Sequence, residues 1–176
     1  MRIHIIGGPG SGKTTLAQRI ATHFGIPFYE LDTIGWEGGV GAERPLEIRL
    51  RDINQIAAQP DWVVEGAFIG WTDELLHSAD HIVWLDLPWR IAAWRIIIRH
   101  MRASLAGINR HRGFLKLLRF LGHSRVYYFS KDPAIGHSHM IAANHLTAYK
   151  DKVVCCRRPS DVEAFLKRLS QGEETM

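Results

Sequence analysis

Gly7-Gly8-Pro9-Gly10-Ser11-Gly12-Lys13-Thr14 fits the spacing G-x-x-x-x-G-K-[ST] in full, and the reading of the whole chain turns on it. Before it, Arg2 to Ile6 is a short β-rich run; after it, Lys13 to Phe24 sets Leu16, Ile20 and Phe24 on one helical face. Strand, glycine loop and helix follow in the order that a phosphate-binding loop requires. Glycines let such a loop turn successive N–H groups inward toward phosphate oxygens, at the positive end of the helix behind it. Lys13 adds a point charge toward the β and γ phosphates, and the Thr14 hydroxyl is placed to ligate Mg²⁺. The expected ATP contacts are therefore Gly8, Pro9, Gly10, Ser11, Gly12, Lys13, Thr14 and Thr15. With glycine at ~7% of residues, a chance match in a chain of this length is on the order of 1%.

Outward from the loop the chain alternates. Pro27 to Leu31 reads as a second strand closed by Asp32, and Pro45 opens an amphipathic helix carrying Leu46, Leu50, Ile53, Ile56 and Ala57. Trp62 to Val64, His81 to Leu85 and Lys152 to Cys156 are three further apolar runs, each leading toward a helix. Strands alternating with helices imply an α/β chain with the three-layer fold of a P-loop NTPase: a five-stranded parallel sheet flanked by helices. At 176 residues and 46% hydrophobic composition, one sizeable core and a single domain over residues 1–176 are expected. Within it the tail over about 170–176 reads as disordered. The N-terminus lacks the features of a secretory signal, and no run reaches the ~18 apolar residues of a membrane span, so a cytoplasmic location is expected. Cys155 and Cys156 are adjacent, point to opposite faces of a strand and read as two buried small apolar groups.

The formal charge of +4 is unevenly spread. Between Asp86 and Asp132 stand ten Lys or Arg and no acid, while the rest of the chain has twelve basic and eighteen acidic residues, a balance of −6. Such a block attracts phosphate on a nucleotide, a nucleic acid or a lipid surface. Within it Phe114, Leu117, Leu118 and Leu121 form one helical stripe beside Lys116 and Arg119. A helix packing that stripe on the body accounts for the pattern without a membrane partner. Arg110, Arg112, Arg119 and Arg125 are candidates for phosphate contact. His137, His139 and His145 invite a metal site, weakly, since no carboxylate or thiolate accompanies them.

Two carboxylates end strands on the loop's side of the sheet, where ligands bind in open α/β folds. Glu65, after Trp62-Val63-Val64, is a candidate for holding Mg²⁺ directly or through water, the alternative being a solvated strand-end acid. Asp32 is a candidate to accept a hydroxyl proton or orient the metal shell, or else plays a turn or capping role.

With the loop at the N-terminus, the acid-Gly pair Glu65-Gly66, and Leu85-Asp86-Leu87-Pro88 before Arg95-Ile96-Ile97-Ile98-Arg99, the chain resembles the adenylate kinase superfamily of P-loop kinases. The resemblance looks closest to a bacterial subgroup labelled DNA topology modulation proteins, through Leu31-Asp32-Thr33-Ile34-Gly35-Trp36 and Val63-Val64-Glu65-Gly66. It implies an acceptor-binding region over about 33–60 and a helical basic lid over about 95–137 that Arg95 and Arg99 begin, Arg95 also contacting the nucleotide and both stabilising the transferring phosphoryl group. Spacing of four sets both guanidinium groups on one helix face. Adenylate kinases carry Asp-Gly-Phe-Pro-Arg at the third strand; here Glu65-Gly66-Ala67-Phe68-Ile69 lacks the arginine that would hold a monophosphate acceptor. Gly35 to Gly41 reads as a flexible loop, whose Trp36 either stacks on a base or sugar ring or packs the loop onto the body. The leading expectation is an ATP- and Mg²⁺-dependent kinase of a nucleotide or small molecule, monomeric or homodimeric, with Lys13, Asp32, Arg95 and Arg99 at its catalytic centre and Thr14 and Glu65 at the metal. The alternatives are a nucleic-acid-associated ATPase affecting DNA topology and a regulatory nucleotide-binding module.

Overall fold

A computed structural model of the chain describes residues 1–107, 113–132 and 138–173. Five parallel strands, β1 (Arg2–Gly7), β2 (Phe28–Glu30), β3 (Trp62–Glu65), β4 (His81–Leu85) and β5 (Val153–Cys156), form one sheet in the order β2-β3-β1-β4-β5. The helices are α1 (Lys13–Phe24), α2 (Leu31–Gly35), α3 (Leu46–Ala57), α4 (Asp73–Ser78), α5 (Trp89–Leu105), α6 (Phe114–Phe129), α7 (His139–Leu146) and α8 (Pro159–Glu173).

Side chains alternate across the central strands, and both faces are buried, which is why these segments read as continuous apolar runs. Ile3, Ile5, Val63, Val83 and Leu85 pack on one face with Leu16, Ala17 and Ile20 of α1 and Phe165 and Leu169 of α8. Ile6, Trp62, Val64, Ile82 and Trp84 pack on the other with side chains from α2, α3, α4 and α7. Each such large apolar side chain contributes roughly 1.5–3 kcal/mol on leaving water. His4 shares the core, fully buried, and burial lowers its pKa to about 3, so the imidazole is neutral.

Several expectations need correction. Leu31 does not extend β2 but opens α2, so Asp32 stands on the first turn of a helix instead of at a strand end. Gly35 to Gly41 is no open loop: Glu37–Gly39 form a 3-10 turn, and Trp36 pairs with Glu43 in an antiparallel bridge. Cys156 is buried but Cys155 is exposed, because β5 is an edge strand. The tail is ordered further than expected, α8 running to Glu173, while residues 174–176 lie outside the described residues. On α6 the stripe divides: Leu117 is buried, whereas Phe114 is 70% and Leu118 46% exposed. The inward face of α6 is made instead by Leu117, Ser124 and Tyr127. Among the described residues no helix is long and apolar enough to cross a membrane.

Candidate functional site

β1 lies between β3 and β4, and the loop leaving it passes over the C-terminal edge of the sheet, where an open parallel sheet forms its crevice. Gly12 sits at φ 99°, ψ 18°, a left-handed conformation that turns the chain directly into α1 and that a side chain would resist. Ser11 N–H donates to Gly8 O at 3.1 Å, and Leu16 N–H donates to Gly12 O at 3.0 Å, closing the loop onto the first helical turn.

Two acidic side chains and the loop's lysine meet beneath this turn. Thr14 Oγ1 donates to Glu65 Oε1 at 2.7 Å, and Lys13 Nζ lies 3.9 Å from Glu65 Oε2 and donates to Gly8 O at 3.4 Å. Glu65 is only 5% exposed. Burial pushes its carboxyl pKa up, opposed by Lys13 and Thr14. Lys13 is shifted down, first by burial, with Arg99 adding repulsion while Glu65 and Asp32 oppose the shift. Asp32 is exposed as a residue, yet its carboxyl borders the cleft, where partial desolvation raises its pKa against the pull of Lys13.

The cleft has a volume of about 740 Å³. It is lined by Lys13, Thr14, Thr15 and Arg19 of α1, by Asp32 and Glu65, and by Arg95 and Arg99 of α5. Arg95 Nη1 donates to Ser11 O at 2.7 Å, so this guanidinium is fastened to the loop itself. All six expected catalytic and metal-binding side chains, Lys13, Thr14, Asp32, Glu65, Arg95 and Arg99, thus border one cavity. Gly10, Ser11 and Gly12 line it too, as does Pro9, while Gly8 lies behind the loop against α6. The donors Thr14 and Glu65 are hard oxygens, one of them a buried carboxylate, and suit Mg²⁺.

Other expectations fare differently. Trp36 is half-buried with its ring 4.7 Å from that of Phe68, which borders the cleft; packing onto the body is the arrangement it adopts. Arg119 and Arg125 are exposed, with Arg125 lying over the Phe129 ring, and neither belongs to the described lining. Arg110, Arg112 and His137 lie outside the described residues. His139 Nε2 bonds Asp86 at 2.7 Å and His145 Nε2 bonds Asp73 at 3.0 Å; among the described residues no three His, Cys, Asp or Glu gather as a metal site.

Tyr127 and Tyr128 of α6 belong to no motif in the sequence. Tyr128 Oη donates to Pro9 O at 3.0 Å, and a Cβ on Gly8 would come within 2.6 Å of both rings. Gly8 is therefore required by the close approach of α6. Arg158, just before α8, and Pro159 at its start line the cleft together with Arg19. Only the paired aromatics late in a basic helix could have flagged the tyrosines, and nothing local ties them to the loop.

The comparisons bear on this geometry. The family described as ATPase family associated with various cellular activities (AAA) matches residues 3–60, from β1 through α3. Shikimate kinase from Aquifex aeolicus aligns over 98% of both chains at 15% identity with a TM-score of 0.51. Shikimate kinase from Acinetobacter baumannii, in complex with shikimate, aligns over 99% of this chain and 93% of its own at 16% identity and 0.51. The fold is that of the P-loop kinases. A gluconokinase from Sinorhizobium meliloti aligns over 99% and 95% at 19% identity, with a TM-score of 0.48. No curated protein matches the sequence.

Proposed function

We propose that this chain is a P-loop kinase that moves the γ-phosphoryl group of ATP, with Mg²⁺, to a small-molecule or nucleotide acceptor. The observation that carries the reading is the contact of Thr14 Oγ1 with the buried Glu65 carboxylate beside Lys13, under a glycine loop open to the cleft. Thr14 and Glu65 would hold Mg²⁺, which would supply positive charge to offset that of the phosphate groups during transfer. Backbone N–H groups of the loop bind the triphosphate, and Lys13 orients its terminal groups. Arg95, anchored on Ser11 O, and Arg99 offset the developing negative charge. Asp32 accepts the acceptor's hydroxyl proton; desolvation that raises its pKa makes it a stronger base than a free aspartate. The acceptor side is formed by α2, the Glu37–Gly39 turn and α3, and the lid by α5 and α6. Placement in the adenylate kinase superfamily, near the topology modulation subgroup, rests on the motif residues alone and belongs to this proposal, as does the cytoplasmic location.

An ADP-release assay over nucleoside monophosphates, nucleosides and hydroxy acids, shikimate and gluconate included, tests it with Lys13→Ala as control. One acceptor class should raise turnover at least about tenfold above hydrolysis. Turnover stimulated by no acceptor but by duplex DNA would replace the kinase with a nucleic-acid-associated ATPase.

A further inference from the structure

Of the twelve large apolar side chains exposed among the described residues, nine belong to α5 and α6. On α5, Trp94, Met101 and Leu105 recur at spacings of seven and four, a single stripe that turns outward while Ala92 and Ile96 face the body. On α6, Leu117, Ser124 and Tyr127 are buried, and Phe114, Leu115, Leu118, Val126 and Phe129 form a second apolar arc on the outer side. Phe120 faces the cleft and is not part of it. Exposed Arg90 and Arg102 flank the α5 stripe, and exposed Lys116, Arg119 and Arg125 stand beside or within the α6 arc. No acid occurs anywhere from residue 87 to 131.

Apolar stripes of this size do not stay in water without a purpose. A second copy would set one all-basic segment against another, and like charges oppose that contact. A nucleic acid complements the charge but offers nothing to Met101, Leu105, Leu115, Leu118 or Val126, which carry no ring for a base to stack on. An anionic lipid bilayer satisfies both halves of the pattern: apolar side chains enter the acyl boundary, and arginines and lysines reach back to the headgroups. We propose that the outer face of α5 and α6 docks this protein on an anionic membrane surface, with the helices lying in the interface. The expectation that no membrane partner is needed assumed that the α6 stripe packs on the body, and the exposure of Phe114 and Leu118 removes that reason.

Vesicle flotation of the full chain decides the matter, using neutral phosphatidylcholine vesicles and the same vesicles with about 30 mol% anionic phospholipid. The protein should float with the anionic vesicles at least about tenfold better than with the neutral ones, and raising salt from about 0.05 to 0.5 M should release it. The double variant Leu115→Ser/Leu118→Ser should weaken flotation about tenfold or more, and Lys116→Glu about fivefold or more, both with unchanged circular dichroism. Because these side chains are exposed, folding should survive, and a melting curve checks it. The proposal is overturned by absence of flotation, by flotation indifferent to salt and to the leucines, by tighter binding to duplex DNA, or by a dimer in sedimentation that the leucine variant abolishes.

Discussion

A buried carboxylate held by one hydroxyl and one ammonium group binds a divalent cation only after losing its proton. Glu65 is such a group, and burial raises its pKa, so the loss comes at higher pH than for a free glutamate. Metal affinity should therefore fall about tenfold per pH unit below the folded-state pKa and level off above it. Mn²⁺ binding followed by electron paramagnetic resonance across acid to neutral pH reads this directly, and Glu65→Gln should abolish both the affinity and its pH dependence. Lys13 is a second residue with a separable role. Under the proposed function, Lys13→Ala removes a charge-assisted contact to phosphate worth roughly 1.5–3 kcal/mol, so ATP binding and turnover should each drop about 10- to 150-fold. An undiminished nucleotide affinity in that variant, measured by calorimetry, would deny the loop its assigned purpose.

At the level of elements, α6 supports the loop from behind. Tyr128→Phe removes the bond to Pro9 O and little else. The loss should cost about 1 kcal/mol, lowering Tm by roughly 2–4 °C and raising KM for ATP several-fold with kcat less affected. Thermal melting and initial-rate kinetics test the two parts independently. The elements also show where sequence reading reached its limit. Periodicity located β1, α1, α3, β3 and β4 because each buries a side that only apolar residues can occupy. It could not place the start of α2, because Leu31 is as apolar in a helix as in a strand and is buried in the core cluster it shares with Ile6 and Val64. The α6 stripe misled for a related reason: spacing defines a face but not which neighbour covers it.

Across the whole molecule, Asp86 at the end of β4 ties distant segments together. It accepts from Arg157 Nε at 3.0 Å and pairs with His139 Nε2 at 2.7 Å, joining β4, the turn before α8 and the start of α7. Burial alone would raise its pKa, but the bonds from Arg157 and His139 outweigh that and hold the carboxyl below its ordinary value. The folded state thus prefers the ionised form, so the stabilisation is complete above the unfolded pKa of about 3.9 and is lost as pH falls through the lower, folded value. Asp86→Asn should lower Tm by roughly 2–6 °C near neutrality, and its gap from wild type should close below about pH 4. A gap independent of pH in calorimetric melts would mean that the amide loses packing and not charge.

What the residues by themselves determined is the glycine turn and the set of polar groups at the front of the cleft. Glycine spacing, a lysine, a threonine and a strand-end acid are local properties, and each suits what a phosphate or a cation demands of its nearest neighbours. What only the tertiary structure decided is which remote side chains close on that front. Tyr128 meets Pro9 across 119 residues and Arg95 meets Ser11 across 84, and such pairs follow from how helices cross a sheet. The outer face of α5 and α6 belongs to the same class, since whether a stripe faces core or solvent is fixed by packing and not by its period.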